Sequence, residues 1–309
     1  MGEMVLLTGA SSFTGLWIAE ALADAGFSVV APLRRARSDY DGERLARIER
    51  LQRSCEVVFS APFASPAFMD IVRTRRPAAL AHHAAEITGY RDADFDAVAA
   101  FQKNASGAPK AVRELGEAGV RALVITGTVF EAGEGGVASE PLAVTPYGLS
   151  KTLTSLAFRH FAADAGLGFG RVVVPSPYGA YEQARSFPAY LFRSWRTGET
   201  PQVRTPRYLR DHLPAPLLGR AYARYLRRLL DEPTTPLVCR PSGWVAAQGD
   251  FALRVAKEAA ARLGRECPVT FAEQSDFSEP LRRVNDEPVR REGWDEAEFW
   301  DAYVGWYRG

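Results

Sequence analysis

Residues 4–22 read MVLLTGASSFTGLWIAEAL: an aliphatic run ends in Thr8-Gly9, and from Gly15 apolar residues recur at helical spacing until Gly26 closes the segment. A strand that runs through a short turn into a helix leaves the helix N-terminus just beyond the strand end. There the unpaired N–H groups of the first helical turn and the positive end of the helix dipole face any anion that enters. Gly9 permits the tight turn and Gly15 permits close packing of helix on strand. Ser11, Ser12, Phe13 and Thr14 supply the backbone between them, with Ser12 where a middle glycine would be expected. The Ser12 side chain would either crowd a phosphate or donate a hydrogen bond to it. The pyrophosphate of a dinucleotide is the ligand this turn suits; a plain strand-to-helix turn is the competing reading.

Outward from this turn, short aliphatic runs near residues 4, 28, 56, 78, 121 and 169 alternate with helical patterns. That rhythm predicts an α/β fold built on a doubly wound parallel sheet over residues 1–174. The stretch DFDAVAAFQKNASGAPKAVRELGEAG, residues 94–119, is long enough for one substantial crossover helix. From about Pro175 the chain turns rich in proline, aromatics and arginine. This predicts a smaller C-terminal substrate-binding lobe over 175–309, with part of 214–240 rejoining the first domain.

The composition narrows the field. With 309 residues, 47% apolar, the chain can bury a sizeable core. Its 38 Lys and Arg balance 37 Asp and Glu, so no global field draws it to nucleic acid or to an anionic membrane. Cys55, Cys239 and Cys267 are widely spaced and accompany no histidine cluster, which predicts no metal site and suits a reducing cytoplasm. The apolar run at the N-terminus is too short for a signal or spanning helix.

A second motif carries chemistry. In TPYGLSK, residues 145–151, Thr145 can cap a helix, Pro146 suits its first position, and Tyr147 and Lys151 then lie one turn apart on the same face. A tyrosine with an ordinary pKa near ~10 needs about 4 kcal/mol of differential stabilisation of its phenolate to titrate near ~7. An ammonium at ~4 Å in an effective dielectric of ~20 offers about that much before its own desolvation. A phenol tuned this way can give a proton to a carbonyl oxygen as hydride reaches the carbon, or take one in reverse. Upstream, RALVITGTVF ends a strand with Thr126 and Thr128, and Thr128 is the better placed to hydrogen-bond the reacting oxygen. Tyr-x-x-x-Lys alone more often marks an exposed helix face; together with the glycine turn it marks a site.

At the end of the second strand no acid is present to accept from a ribose 2′-hydroxyl. FSVVAPLRRARSDY supplies Arg34, Arg35 and Arg37 instead, which can pair with a 2′-phosphate and point to NADP. The competing reading is a solvated basic loop paired with Asp39 or Asp41.

Taken together these residues resemble the extended short-chain dehydrogenase/reductase family, in its nucleotide-sugar epimerase, dehydratase and reductase branch. TGASSFTG is similar to the family's TGxxGxxG, AHHAAE occupies the place of its HLAA segment, and FQKNASG looks like its helix asparagine segment, giving Asn104 a structural and proton-relay position. GTVFEAGEGG with TPYGLSK resembles the branch's GTCFEYG and TPYGxSK, which carries catalytic roles onto Thr128, Tyr147 and Lys151. RVVVPSPYGAYE is similar to RxxNxYGPYE with Ser176 in place of the Asn, and YLRDHLP is similar to the RDxxHV segment, with Pro214 at its His. The resemblance implies that Gly9, Ser11, Ser12, Phe13, Thr14, Gly15, Arg34, Arg35, Ala84, Tyr147, Lys151 and Pro175 surround the cofactor. It places Thr128, Ser176 and Arg210 on a nucleotide-sugar substrate. Val129 and Phe130 follow Thr128 where the 4,6-dehydratases carry an acidic pair, which argues against dehydration.

Three functions are therefore expected in this order: NADP-dependent reduction of a 4-keto nucleotide sugar, epimerisation of a nucleotide sugar with retained NAD, and dinucleotide sensing without catalysis. A homodimer is expected by resemblance, through Val98, Phe101, Leu153 and Leu156. His82 and His83 read as packing beside the cofactor. Of Arg185, Arg193, Arg204, Arg207 and Arg210, one or two are expected to touch ligand, and the aromatics around Trp294, Trp300 and Trp306 read as lobe packing.

Overall fold

In the computed structural model, which describes residues 2–92, 94–136, 142–232, 235 and 237–308, the glycine turn lies at the centre of one open sheet. Its strands are β1 (Met4–Thr8), β2 (Ser28–Pro32), β3 (Glu56–Val58), β4 (Ala79–His82), β5 (Ala122–Thr128), β6 (Gly168–Val174) and a short Val238–Cys239 strand. They pair in the order Val238–Cys239, β6, β5, β4, β1, β2, β3, and every pairing is parallel. The order reverses between β1 and β4, so the chain ends leaving these two strands diverge and open a crevice at their carboxyl edge.

The strands are nearly all apolar because both faces are covered. Val5 and Leu7 pack with α1 (Phe13–Asp24) and with Tyr222, Tyr225 and Leu226 of the helix Ala215–Asp231. Leu6, from the alternate position, packs on the other face with Phe68 of α3 (Pro66–Arg75), Val112, Leu115 and Phe158, while Leu51 of α2 (Gly42–Leu51) packs on the first.

The predicted single crossover helix over 94–119 is a correction. Two helices stand there, α4 (Ala97–Ala105) and α5 (Ala108–Glu117). Gly107 at φ +71 breaks the first and Pro109 suits the opening turn of the second.

The helix that carries the second motif, α6 (Pro146–Asp164), is capped as its sequence suggests: the Thr145 hydroxyl accepts from the Gly148 N–H at 3.0 Å. Beyond β6, short strands Ser176–Tyr178 and Leu209–Pro214 pair with each other and begin the lobe. The lobe's core gathers Tyr178, Phe192, Trp195, Phe251, Phe299, Trp300 and Tyr303, with Trp294 packed against it. Among the described residues, no helix is long and apolar enough to cross a membrane.

Candidate functional site

A cleft of about 1380 Å³ opens where the sheet order reverses, between the sheet's carboxyl edge and the lobe. It is lined by Gly9, Ser11, Ser12, Phe13 and Thr14 from the glycine turn, and by Ala84, Thr128, Tyr147, Lys151, Pro175, Ser176 and Arg210. Gly15 lies behind this surface: a Cβ there would stand 2.3 Å from the Gly9 carbonyl oxygen, so glycine lets α1 start directly against the turn. Gly9 has φ +73 and sits so close to Ala84 that a Cβ would lie 2.7 Å from its amide nitrogen.

Ser12 is the N-cap of α1, its hydroxyl accepting from Gly15 N–H at 3.1 Å. That hydroxyl also lies 3.0 Å from His83 Nε2, which is 3.0 Å from Thr14 Oγ1 as well; His83 Nδ1 is 2.9 Å from Thr126 Oγ1. His83 thus ties the glycine turn to β5, a more specific role than the packing expected of it. Burial, and then the positive charge of Lys151, push His83 down to about 3, so the imidazole is neutral. His82 is buried against Thr8 Oγ1 at 3.0 Å and is likewise pushed down to about 3, by burial first.

At the end of β2, Arg34 and Arg35 are exposed and line the cleft, joined by Arg44 from the helix Gly42–Leu51. Among the described residues none of the three pairs with a carboxylate, and Asp39 and Asp41 form no salt bridge. Arg37 instead bonds Gln52 at 3.2 Å. Burial lowers the Arg44 pKa, and the charges of Arg35 and Arg34 lower it further.

Tyr147 lies under aromatic neighbours: Tyr90 at 5.1 Å, Phe95 at 6.1 Å and Phe130 at 6.3 Å between ring centroids. Gly148 makes this approach possible, since a Cβ there would stand 2.1 Å from the Phe130 carbonyl oxygen. The expected lowering of the phenol by Lys151 is corrected. Burial first, then Tyr90 and Glu131, raise Tyr147 above the ordinary tyrosine range. Lys151 is 3% exposed; burial lowers it, Glu131 raises it and Arg171 lowers it. Asn104 is buried, its Oδ1 accepting from Glu86 N–H at 2.7 Å and its Nδ2 donating to Thr154 at 3.3 Å.

On the lobe side, Arg210 is 4% exposed and stacks over Tyr208 at 4.1 Å. It donates to Glu279 at 2.9 Å and to the carbonyls of Leu209, Pro280 and Leu281. Arg283 shares Glu279 and stacks 3.7 Å over Phe130; burial lowers it to about 10, and its Nε has no partner. Two cations on one carboxylate leave this wall of the cleft positive. Of the other arginines named from sequence, Arg185 lines the cleft, Arg193 bonds the Ala184 carbonyl and Arg207 stacks on Phe277. Glu182 also lines the cleft. Its Oε1 accepts from Tyr303 and Tyr307, its Oε2 has no partner, and burial raises it to about 7.

Sequence reasoning missed Arg44, Arg283, Glu279 and the His83 bridge. Arg44 shows no local signal beyond standing in the first turn of the helix Gly42–Leu51, nine residues after Arg35. Arg283 enters by pairing of Arg282–Arg283 with β-strand Leu209–Pro214, a contact far apart in sequence.

The crevice fits a dinucleotide on its own geometry: a glycine backbone pressed to Ala84, the open first turn of α1, and unpaired arginines at the end of β2. Solved structures of the same fold include the UDP-glucose 4-epimerase of Thermotoga maritima with UDP-glucose, at 17% identity, covering 99% of this chain and 98% of that one, with TM-score 0.72. The UDP-glucuronic acid 4-epimerase of Bacillus cereus, with UDP-glucuronic acid and NAD, matches at 15% identity over 99% of both chains, TM-score 0.73. DesIV, a dTDP-glucose 4,6-dehydratase of Streptomyces venezuelae, matches at 17% identity over 99% and 97%, TM-score 0.74. No curated protein sequence matches. The sequence model of the NAD dependent epimerase/dehydratase family matches residues 5–232, the span from β1 through the helix Ala215–Asp231, and the chain belongs to that family of extended short-chain dehydrogenase/reductase enzymes.

Proposed function

We propose that the protein reduces a 4-keto nucleotide sugar with NADPH. The observation that carries this reading is the trio Arg34, Arg35 and Arg44, which faces the cleft beside the glycine turn without a carboxylate. A 2′-phosphate satisfies all three at once. The glycine turn from Gly9 to Thr14 would hold the pyrophosphate, with Gly15 behind it, and Ala84 and Pro175 would flank the rest of the dinucleotide. The reduced nicotinamide supplies hydride when bound. Tyr147 gives the proton to the substrate oxygen. Thr128 steadies the oxygen, and Lys151 offsets negative charge as the proton leaves. Ser176, Arg210 and Arg283 would take the diphosphate, for which the positive wall around Glu279 supplies the charge.

Epimerisation with retained NAD is the second reading. It is supported by the family description. The chain is proposed to work as a homodimer, in the cytoplasm. Val98 and Leu156 are 57% and 59% exposed on adjoining helices α4 and α6, an apolar face that a second copy would cover. The reading is tested by Tyr147→Phe, which should abolish turnover of a keto substrate while cofactor still binds; unchanged turnover would reject it.

A further inference from the structure

Glu131 follows Thr128 by three residues, and none of the roles above uses it. It is 1% exposed. Its Oε1 accepts from the Thr128 N–H at 2.8 Å, and its Oε2 accepts from Ser155 Oγ at 2.9 Å and from Arg171 Nη1 at 2.7 Å. Thr128 ends β5, while Ser155 lies on α6 one turn beyond Lys151. One carboxylate therefore joins the strand that carries Thr128 to the helix that carries Tyr147 and Lys151.

A carboxylate at this depth is costly unless it is paired. Arg171 pairs it and also bonds Glu134, which in turn receives Arg240 at 2.7 and 3.1 Å. Two acids and two arginines balance in sum but not in their effect on the site, because Glu131 acts on Lys151 more strongly than Arg171 does. We propose that Glu131 is a positioning residue for Thr128, Tyr147 and Lys151: its carboxylate ties the end of β5 to α6 and sets one buried negative charge between them. This rests on the reading of those three residues as the reacting group.

The charged and titratable groups around Lys151 are Glu131 and Arg171, His82 and His83 at the end of β4, and Tyr147 on its own helix. Both imidazoles are neutral. Glu131 favours the protonated form of Lys151 and of Tyr147 alike, and Arg171 opposes it at Lys151. The two partners of one ion pair thus push Lys151 in opposite directions; what separates a positioning role from a structural one is whether the pH profile of hydride transfer moves with the lysine.

The chain has four lysines, Lys103, Lys110, Lys151 and Lys257, and only Lys151 is buried. Nuclear magnetic resonance of isotopically labelled lysine, with Lys151→Met to assign the signal, can follow its titration in the full chain, free and with NADP⁺. Glu131→Gln is expected to move the Lys151 midpoint down by about one pH unit. The pH profile of hydride transfer should follow the midpoint in each variant. Should Glu131→Gln fail to fold, Glu131→Asp decides: it keeps the pair with Arg171 in charge but draws the carboxylate back from Thr128 and α6, and the Lys151 midpoint is expected to fall there too. A midpoint that stays at the wild-type value in a folded variant overturns the proposal. The lysine signal needs no substrate, so failure to turn over any keto sugar would reject the reductase reading separately.

Discussion

Replacing Arg34, Arg35 and Arg44 with alanine tests cofactor choice where the structure is most specific. The three guanidinium groups converge on one end of the cleft with no carboxylate among them, and Arg44, half-buried, is lowered by burial and by the two others. A phosphate with up to two negative charges makes charged hydrogen bonds there and also relieves their mutual repulsion. Such a bond is worth roughly 1.5–3 kcal/mol; Arg34 and Arg35 are exposed, so solvent screening places them at the low end. With ~1.4 kcal/mol for each tenfold step, Arg44→Ala should weaken NADP⁺ binding about tenfold to a hundredfold. The triple variant should weaken it about a thousandfold, with NAD⁺ affinity nearly unchanged. Titration calorimetry with both cofactors at two salt concentrations measures this, and the salt sensitivity of NADP⁺ binding should fall with the arginines. If the wild-type protein prefers NAD⁺, or the triple variant loses both cofactors equally, the arginines are surface charge and the NADP assignment fails.

Two further outcomes follow from burial. Glu182 is raised from 4.5 to about 7, so the folded protein holds a proton there that the unfolded chain releases; the associated stability is complete below about pH 4.5 and is lost as pH rises through 7. Glu182→Gln should remove that loss, gaining roughly 3 kcal/mol relative to wild type above pH 7, and parallel unfolding curves across this range would refute it. Leu156→Glu places a charge on the exposed face of α6 and should convert a dimer to monomer in sedimentation at micromolar concentration; a wild-type monomer, or a variant that stays dimeric, counts against that surface.

The fold was legible because its signals are local. Six of the seven central strands announce themselves as aliphatic runs, and a strand leading into Gly9 and Gly15 has few other uses. The seventh, Val238–Cys239, is too short to carry a period of its own and is held by pairing with β6. The break between α4 and α5 was legible in principle, since Ser106-Gly107-Ala108-Pro109 is a stop signal followed by a start signal. The site was legible only where one element carries it, as in TPYGLSK. Arg283 and His83 gain their roles from neighbours far along the chain, and Arg44 from a helix that folds it back beside Arg34 and Arg35. The state of Tyr147 depends on Tyr90 and Phe95, from a loop whose sequence does not show where it packs.

The fate of the cofactor separates reduction from epimerisation most directly. A 4-keto nucleotide sugar is mixed with NADPH and protein freed of bound nucleotide, and nicotinamide absorbance is followed together with product formation. One NADPH is expected to be oxidised for each sugar reduced, with oxidation at least a hundredfold slower in Tyr147→Phe, the scale of a lost general acid. Protein that purifies with stoichiometric NAD and interconverts nucleotide sugars without consuming added cofactor would contradict it and establish the epimerase.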